Sequence, residues 1–279
     1  MKWVGGKSLS CNKIASLIPQ HECYCEVFFG AGWVFFCKKP SKTEVINDIN
    51  SELINFYRVI QRQCDEFKKR EKYEMYSREL YYEYLSDFNN GKHSTLDNVE
   101  RAFRFFCLIK EAFGGNFGSG FGYGSTRNVA KSMFNEFDIL NRVTERFKNT
   151  QIDNRDFEDI IKGYDNENTF MFCDPPYMDS NNKALYFKST NSSFTINDHQ
   201  RLFLALRSIK GKCLLTVDDT TWIRERYTKE NGFFLLENKV NYSSAPAGSR
   251  QVVTELIITN YDTEQIKKHI DTKQDRLEF

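Results

Sequence analysis

The chain has 279 residues, 40% of them hydrophobic and 28% charged, with 39 Lys and Arg against 38 Asp and Glu, a formal charge of +1. Balanced charge and 42 aromatic side chains (25 Phe, 14 Tyr, 3 Trp) exclude an intrinsically disordered protein, because so many rings need burial or stacking partners. The longest apolar run, Val27 to Cys37, is 11 residues against the roughly 20 that cross a bilayer, so no transmembrane helix is expected. Met1 to Ser8 lacks the apolar stretch and small-residue cleavage site of a secretory signal, and a cytoplasmic location is expected. The length allows one large domain or a core domain carrying an insertion. The cysteines, Cys11, Cys23, Cys25, Cys37, Cys64, Cys107, Cys173 and Cys213, are scattered, several in apolar runs, and are expected to be reduced core residues. Cys23 and Cys25 lack a second pair, and His21, His93, His199 and His269 form no i, i+4 pair, so no metal site is expected.

In chain order, Leu9, Ile14, Leu17 and Ile18 predict a short helix stopped by Pro19. A strand at Cys23 to Phe28, a Gly-rich turn and a strand at Glu44 to Ile46 ending in Asn47-Asp48 follow. Helix and strand alternating this early predict a parallel α/β sheet. From Phe56 to Asn149 the texture changes. Leu53, Tyr57, Ile60, Cys64 and Phe67 keep helical spacing, as do Ala102, Phe103, Phe106, Ile109 and Phe113, with no convincing strand between them. This predicts a helical insertion, with 16 Lys and Arg against 13 Asp and Glu, while the remainder has 23 against 25. So small an excess fits a nucleic-acid-reading domain and an ordinary solvated face equally well. Gly114 to Gly124 holds six glycines interleaved with aromatics, which cannot form a stable helix and reads as a slack linker or as a loop bringing backbone and rings to a ligand.

After residue 150 the alternation returns. Thr169 to Cys173 is a continuous apolar strand ending in prolines, and Asn197-Asp198 is expected to cap a helix with Leu202, Phe203, Leu206 and Ile209 on one face, closed by Gly211. Cys213 to Val217, Phe233 to Leu236 and Glu255 to Ile258 read as further strands. Asp179 to Ser193, rich in Asn, Ser and Lys, is long for an α/β connection and reads as a closing lid or a merely mobile loop.

Two segments carry chemistry. Glu26-Val27-Phe28-Phe29-Gly30-Ala31-Gly32 joins a predicted strand to an apolar helical run, where glycines let a ligand approach the backbone. A dinucleotide fingerprint would need a third Gly where Phe35 stands, which disfavours a nicotinamide oxidoreductase and leaves a nucleoside ligand without a pyrophosphate. Asp48 ends the next strand about 16 residues after Gly32, near the spacing at which an acidic side chain takes ribose hydroxyls; a turn aspartate is the plainer alternative. Asp174-Pro175-Pro176-Tyr177 is more specific and falls at the end of a buried strand, where ligands sit in open α/β sheets. A carboxylate and the carbonyl of a rigid X-Pro-Pro segment are two fixed acceptors that match an exocyclic NH2. Holding both N–H groups turns the nitrogen lone pair out of conjugation toward an electrophile, while the Tyr ring offers a stacking face. A proline-rich turn without catalytic role is the alternative.

Over nearly its whole length the chain resembles the Dam-like (alpha-class, DPPY) adenine-N6 DNA methyltransferases of bacteria and phages. Lys2-Trp3-Val4-Gly5-Gly6-Lys7 matches the family's N-terminal signature, Phe29-Gly30-Ala31-Gly32 its methionine-side loop, and Asn47-Asp48 its ribose-binding strand end. Asp156-Phe157 resembles the pair flanking the cofactor adenine, Asp174-Pro175-Pro176-Tyr177 the catalytic motif, Phe194 to His199 the helix start after it, and Thr254 to Tyr261 the closing strand. The resemblance implies S-adenosylmethionine as cofactor, held by Trp3, Lys7, Phe29, Gly30, Gly32, Asp48, Asp156, Phe157 and Asp174, with Asp174, Pro175, Pro176 and Tyr177 catalytic. It implies a Rossmann-like methyltransferase sheet from residues 1–55 and 150–279, with a helical target-recognition insertion at 56–149. The expected reaction is methyl transfer to N6 of an adenine flipped from double-stranded DNA, with no membrane and no obligate protein partner. Members reading GATC carry a basic β-hairpin with an Asn-Val-Pro-Phe-Gly-like segment. Here the Gly-rich run followed by Ser125-Thr126-Arg127-Asn128 stands in its place, so the target sequence is open, and Asn116, Phe117, Phe121, Tyr123, Arg127 and Lys131 are the candidate DNA contacts. The alternatives are transfer to cytosine N4, RNA adenine or a protein Gln, or a catalytically idle DNA-binding relative. Asp rather than Ser or Asn before the prolines leans toward adenine.

Overall fold

The computed structural model describes residues 6–70, 76–113, 117–118, 120–123, 128, 130–131, 137–178, 194–241, 252–264 and 266. Seven strands form one sheet in the order β3-β2-β1-β4-β5-β7-β6. They are β1 Cys23–Glu26, β2 Thr43–Asn47, β3 Thr150–Asp153, β4 Thr169–Cys173, β5 Lys212–Asp218, β6 Phe234–Asn241 and β7 Val252–Thr259. The first five are mutually parallel, and β7 runs antiparallel to β5 and β6. The helices are α1 Cys11–Ser16, α2 Trp33–Cys37, α3 Ser51–Arg62, α4 Cys64–Arg70, α5 Arg78–Asn89, α6 Asn98–Glu111, α7 Leu140–Phe147, α8 Phe157–Tyr164, α9 Ile196–Ser208 and α10 Thr221–Arg226. Among the described residues no helix is long and apolar enough to cross a membrane.

Strand alternation divides the apolar side chains between two cores. Tyr24, Ile46, Phe170, Phe172, Leu214 and Ile257 face a cluster completed by α1 to α7. Cys25, Val45, Met171, Cys173, Cys213, Leu215 and Val217 face a second, completed by α8, α9 and α10. Because β4 is covered on both faces, all five of its residues are buried, which is why Phe170 to Cys173 are apolar without a break. Strand order reverses between β1 and β4, so the turns leaving these neighbours diverge and open a crevice at the sheet's carboxyl edge. This is a Rossmann-like α/β sheet. The boundary expected after residue 55 falls inside α3, whose Leu53, Phe56, Tyr57 and Ile60 share the first core with the sheet.

Several local expectations are corrected. Cys11 and Cys37 form a disulfide joining α1 to α2, with Cα atoms 6.2 Å apart, rather than two reduced thiols. The two helices pack against each other, a proximity that a separation of 26 residues in sequence conceals. Helix α9 is capped by Thr195, not by Asn197-Asp198; Asp198 is the reciprocal member of a capping box, its Oδ2 accepting from the Thr195 backbone at 2.8 Å. Strand β6 runs on through Glu237-Asn238-Lys239, polar residues that read as loop but suit an edge strand. Strand β3 is short and mixed in character and forms by pairing with β2.

Gly32 caps α2 with φ at +67°, and a Cβ there would lie 2.3 Å from Cζ of the Phe29 ring. Gly32→Ala therefore combines left-handed strain with a core clash and should destabilise the fold by about 2–4 kcal/mol, measured by urea denaturation.

Candidate active site

At one side of the crevice, the turn after β1 is fastened to the end of β2. The Gly30 backbone N–H donates to Asp48 Oδ2 at 2.9 Å, the Asn50 N–H to Asp48 Oδ1 at 2.9 Å, and the Tyr57 hydroxyl to the Gly30 carbonyl at 2.7 Å. Burial raises the Asp48 pKa, and the two backbone donors oppose that rise. Buried Asn47 donates to the carbonyls of Val27 and Arg155 and accepts from the Arg155 N–H, tying β1, β2 and the start of α8 together. Asp156 caps α8 through Oδ1, which takes the Glu158 N–H at 2.9 Å and the Arg201 guanidinium at 2.8 Å. Among the described residues nothing hydrogen-bonds or pairs with its Oδ2. Arg201 also covers the Phe157 ring at 4.7 Å.

Gly30, Gly32, Asp48, Asp156 and Phe157 thus stand together around the β1 and β2 ends. Phe29 differs: its ring is 2% exposed, packed edge-on against Tyr57 at 4.9 Å and Phe35 at 5.6 Å, so only its backbone borders the turn. The neighbouring Phe28 is half-buried and meets Phe157 and Phe194, each with centroids 5.6 Å away, in an apolar wall. Phe28 was missed among the candidate binding residues, although strand alternation sets it on the face opposite Phe29.

The β4 turn supplies the other side. Lys7 Nζ lies 2.7 Å from Asp174 Oδ1 and 3.9 Å from Glu255 Oε1, and 4.8 Å from the Tyr177 ring centroid. The Thr216 hydroxyl donates to the same Asp174 Oδ1 at 2.7 Å, and the Tyr177 hydroxyl to Glu255 Oε1 at 2.9 Å. Burial raises the Asp174 pKa against the opposing pull of Lys7 and Thr216. Pro175 is buried, and Pro176 and Tyr177 are half-buried. Four segments distant in sequence therefore meet at Asp174. Lys7 was anticipated; Thr216 and Glu255 were not singled out, although a lone acid in the apolar end of β7 and a lone hydroxyl in β5 were signals. Trp3, Asn116, Arg127 and the 179–193 stretch lie outside the described residues.

In the insertion, Ala112 and Phe121 form an antiparallel bridge, with the Phe113 N–H donating to the Gly120 carbonyl at 2.8 Å. Phe117 packs on Phe88 and Phe105, and Phe121 on Tyr76 and Tyr81. Tyr123 is 74% exposed, and Lys131 is exposed. Arg78, absent from the sequence-derived candidates, lies over the rings of Phe121 and Tyr123 at 5.5 and 5.3 Å.

The sequence model of the D12 class N6 adenine-specific DNA methyltransferases matches residues 3–243. The chain is 29% identical over 280 residues to the type II methyltransferase M1.LlaDCHI of Lactococcus lactis subsp. cremoris, covering 93% of this chain and 94% of that one. It is 28% identical to the type II methyltransferase M.CviBI of Paramecium bursaria Chlorella virus NC1A, covering 94% and 98%. It is likewise 28% identical to the DNA adenine methylase of Escherichia coli K12, covering 92% and 93%.

Glu26, at the end of β1, is buried and accepts from the Tyr24 hydroxyl at 2.6 Å; burial pushes its pKa up to about 8. Between pH 4.5 and 8 the folded chain holds a proton that the unfolded chain has released, so this group's contribution lowers stability as pH rises through that window. Glu26→Gln should be no more stable than wild type near pH 4.5 and higher in Tm by about 3 °C or more at pH 8.5, followed by thermal denaturation across pH.

Proposed function

The chain belongs to the D12 class N6 adenine-specific DNA methyltransferases, enzymes that methylate adenine in DNA, and on that premise we propose how its crevice divides between cofactor and target. S-adenosylmethionine suits the β1 and β2 side by the chemistry of the groups there. Asp48 is an acceptor for a diol, Asp156 Oδ2 an acceptor for an amino group, and Phe28, Phe157 and Phe194 an apolar wall for a purine. Trp3 and the Gly30 and Gly32 backbone complete this side. When bound, the cofactor supplies an electrophilic sulfonium methyl group.

The target adenine, flipped from duplex DNA because a stacked amine cannot reach the crevice, enters at the Asp174-Pro175-Pro176-Tyr177 turn. Asp174 and the Pro175 carbonyl accept its two N–H bonds, Tyr177 stacks on its ring, and the lone pair is directed away from the turn. After transfer the methylated amine loses its proton through Asp174 or water. Residues 56–149 read the flanking sequence, with Tyr123, Lys131, Asn116, Phe117, Phe121 and Arg127 as its DNA side. DNA and the methyl donor are both cytoplasmic, and we place the activity there. The observation that carries this assignment is Asp174 itself, a half-buried carboxylate at the switch-point edge held by Lys7 at 2.7 Å.

Incubation with labelled S-adenosylmethionine and plasmid DNA, followed by mass spectrometry of the nucleosides, should yield N6-methyldeoxyadenosine; N4-methyldeoxycytidine or no DNA product would overturn the assignment. Asp174→Ala should slow single-turnover methyl transfer at least about 10^2-fold. Asp48→Ala should weaken S-adenosylmethionine binding about tenfold or more in calorimetry while the circular dichroism spectrum is kept, the loss appropriate to hydrogen bonds to a charged group.

A further inference from the structure

Thr216 is fully buried in the run Leu214-Leu215-Thr216-Val217 of β5. A hydroxyl at such a place costs desolvation energy unless it has a partner. Its partner follows from strand register. Cys173 of β4 pairs with Leu215, so the next step along both chains sets Thr216 beside Asp174, and the hydroxyl donates to Oδ1 at 2.7 Å. Lys7 donates to that same oxygen at 2.7 Å. Two donors on Oδ1, from different directions in the fold, fix the plane of the carboxylate. No hydrogen bond among the described residues reaches Oδ2, and the side chain stays 18% exposed.

We propose that Thr216 is a positioning residue for methyl transfer: with Lys7 it holds Oδ1 and so presents Oδ2 alone to the target amine. This rests on the reading of Asp174 as the amine's acceptor. A carboxylate held by Lys7 alone could turn about its Cβ–Cγ bond while keeping the ammonium contact, because an ammonium is a rotatable point donor. The hydroxyl, fixed on a central strand, removes that freedom, and small losses of alignment at a reacting centre are expensive in rate. The same hydrogen bond favours the ionised form of Asp174. The other charged or titratable groups facing that carboxyl are Lys7 from the amino-terminal segment, Glu255 from β7, Glu26 from β1 and the adjacent Cys173 of β4.

The test compares Thr216→Val, which keeps shape and removes the donor, with Thr216→Ser, which keeps the donor. Thr216→Val should slow single-turnover methyl transfer about tenfold or more at saturating S-adenosylmethionine and DNA, with both dissociation constants within about threefold of wild type. Its rate should also fall off at higher pH than wild type on the acid side, and Thr216→Ser should restore the rate to within about threefold. A Thr216→Val rate above about a third of wild type, an unshifted acid limb, or a Thr216→Ser variant as slow as Thr216→Val overturns the proposal. If Thr216→Val does not fold, Thr216→Ala is judged by the same criteria. Asp174→Ala, measured in parallel, separates the two levels. A fast Asp174→Ala enzyme refutes the acceptor role of Asp174, whereas a slow one beside a fast Thr216→Val enzyme refutes the role of Thr216 alone.

Discussion

The 2.7 Å pair between Lys7 and Asp174 joins the amino-terminal segment to the end of the central strand, and the arrangement of the carboxyl edge follows from it. Withdrawing two charges from water costs several kcal/mol per ion, and attraction offsets this only with good geometry and further hydrogen bonds. Thr216 supplies one such bond, and Glu255 extends the charge pattern to β7 and, through Tyr177, back to the Asp174–Tyr177 turn. Removing Lys7 would leave the Asp174 carboxylate without its ion-pair partner. The pair therefore fixes geometry more than it adds stability, as the proposed amine-binding role of this turn requires.

The parts of this architecture that were legible in sequence are those whose signal is local. Thr169 to Cys173 is legible because burial on both faces demands an unbroken apolar run, and the prolines after it end the strand abruptly. Where tertiary pairing decides, sequence falls short. The polar half of β6 is held by the β7 ladder, and the Cys11–Cys37 bridge by helix packing. At the site, Asp48, Asp156 and Asp174 announce themselves as acids at strand ends or a helix start. Their buried supports do not, because a Thr or Glu within an apolar strand carries no mark of which neighbour it meets. Phe28 and Phe29 are indistinguishable by residue type, and only strand alternation tells that one borders the crevice and the other the core.

The abundance of rings invites a base-stacking explanation, but many of them join the insertion to the sheet. Phe56, Phe67, Phe103, Phe106 and Phe137 contact one another, and Phe147 joins Phe29, Phe35 and Tyr57. One apolar cluster runs from Phe172 in the sheet to Phe88 in α5. The insertion and the sheet therefore share one close-packed interior rather than two separate cores.

Asn47 shows how narrowly one position can be specified. Its amide donates to two carbonyls, of Val27 and Arg155, and accepts from the Arg155 N–H, satisfying three segments with a single side chain. Asp has the same outline but would turn an oxygen toward two carbonyl oxygens, and Gln would place the same amide one methylene too far. Spontaneous hydrolysis of this amide would produce that Asp without any change in the gene. Burial and three hydrogen bonds keep that amide from water, so the fold that depends on Asn47 also protects it.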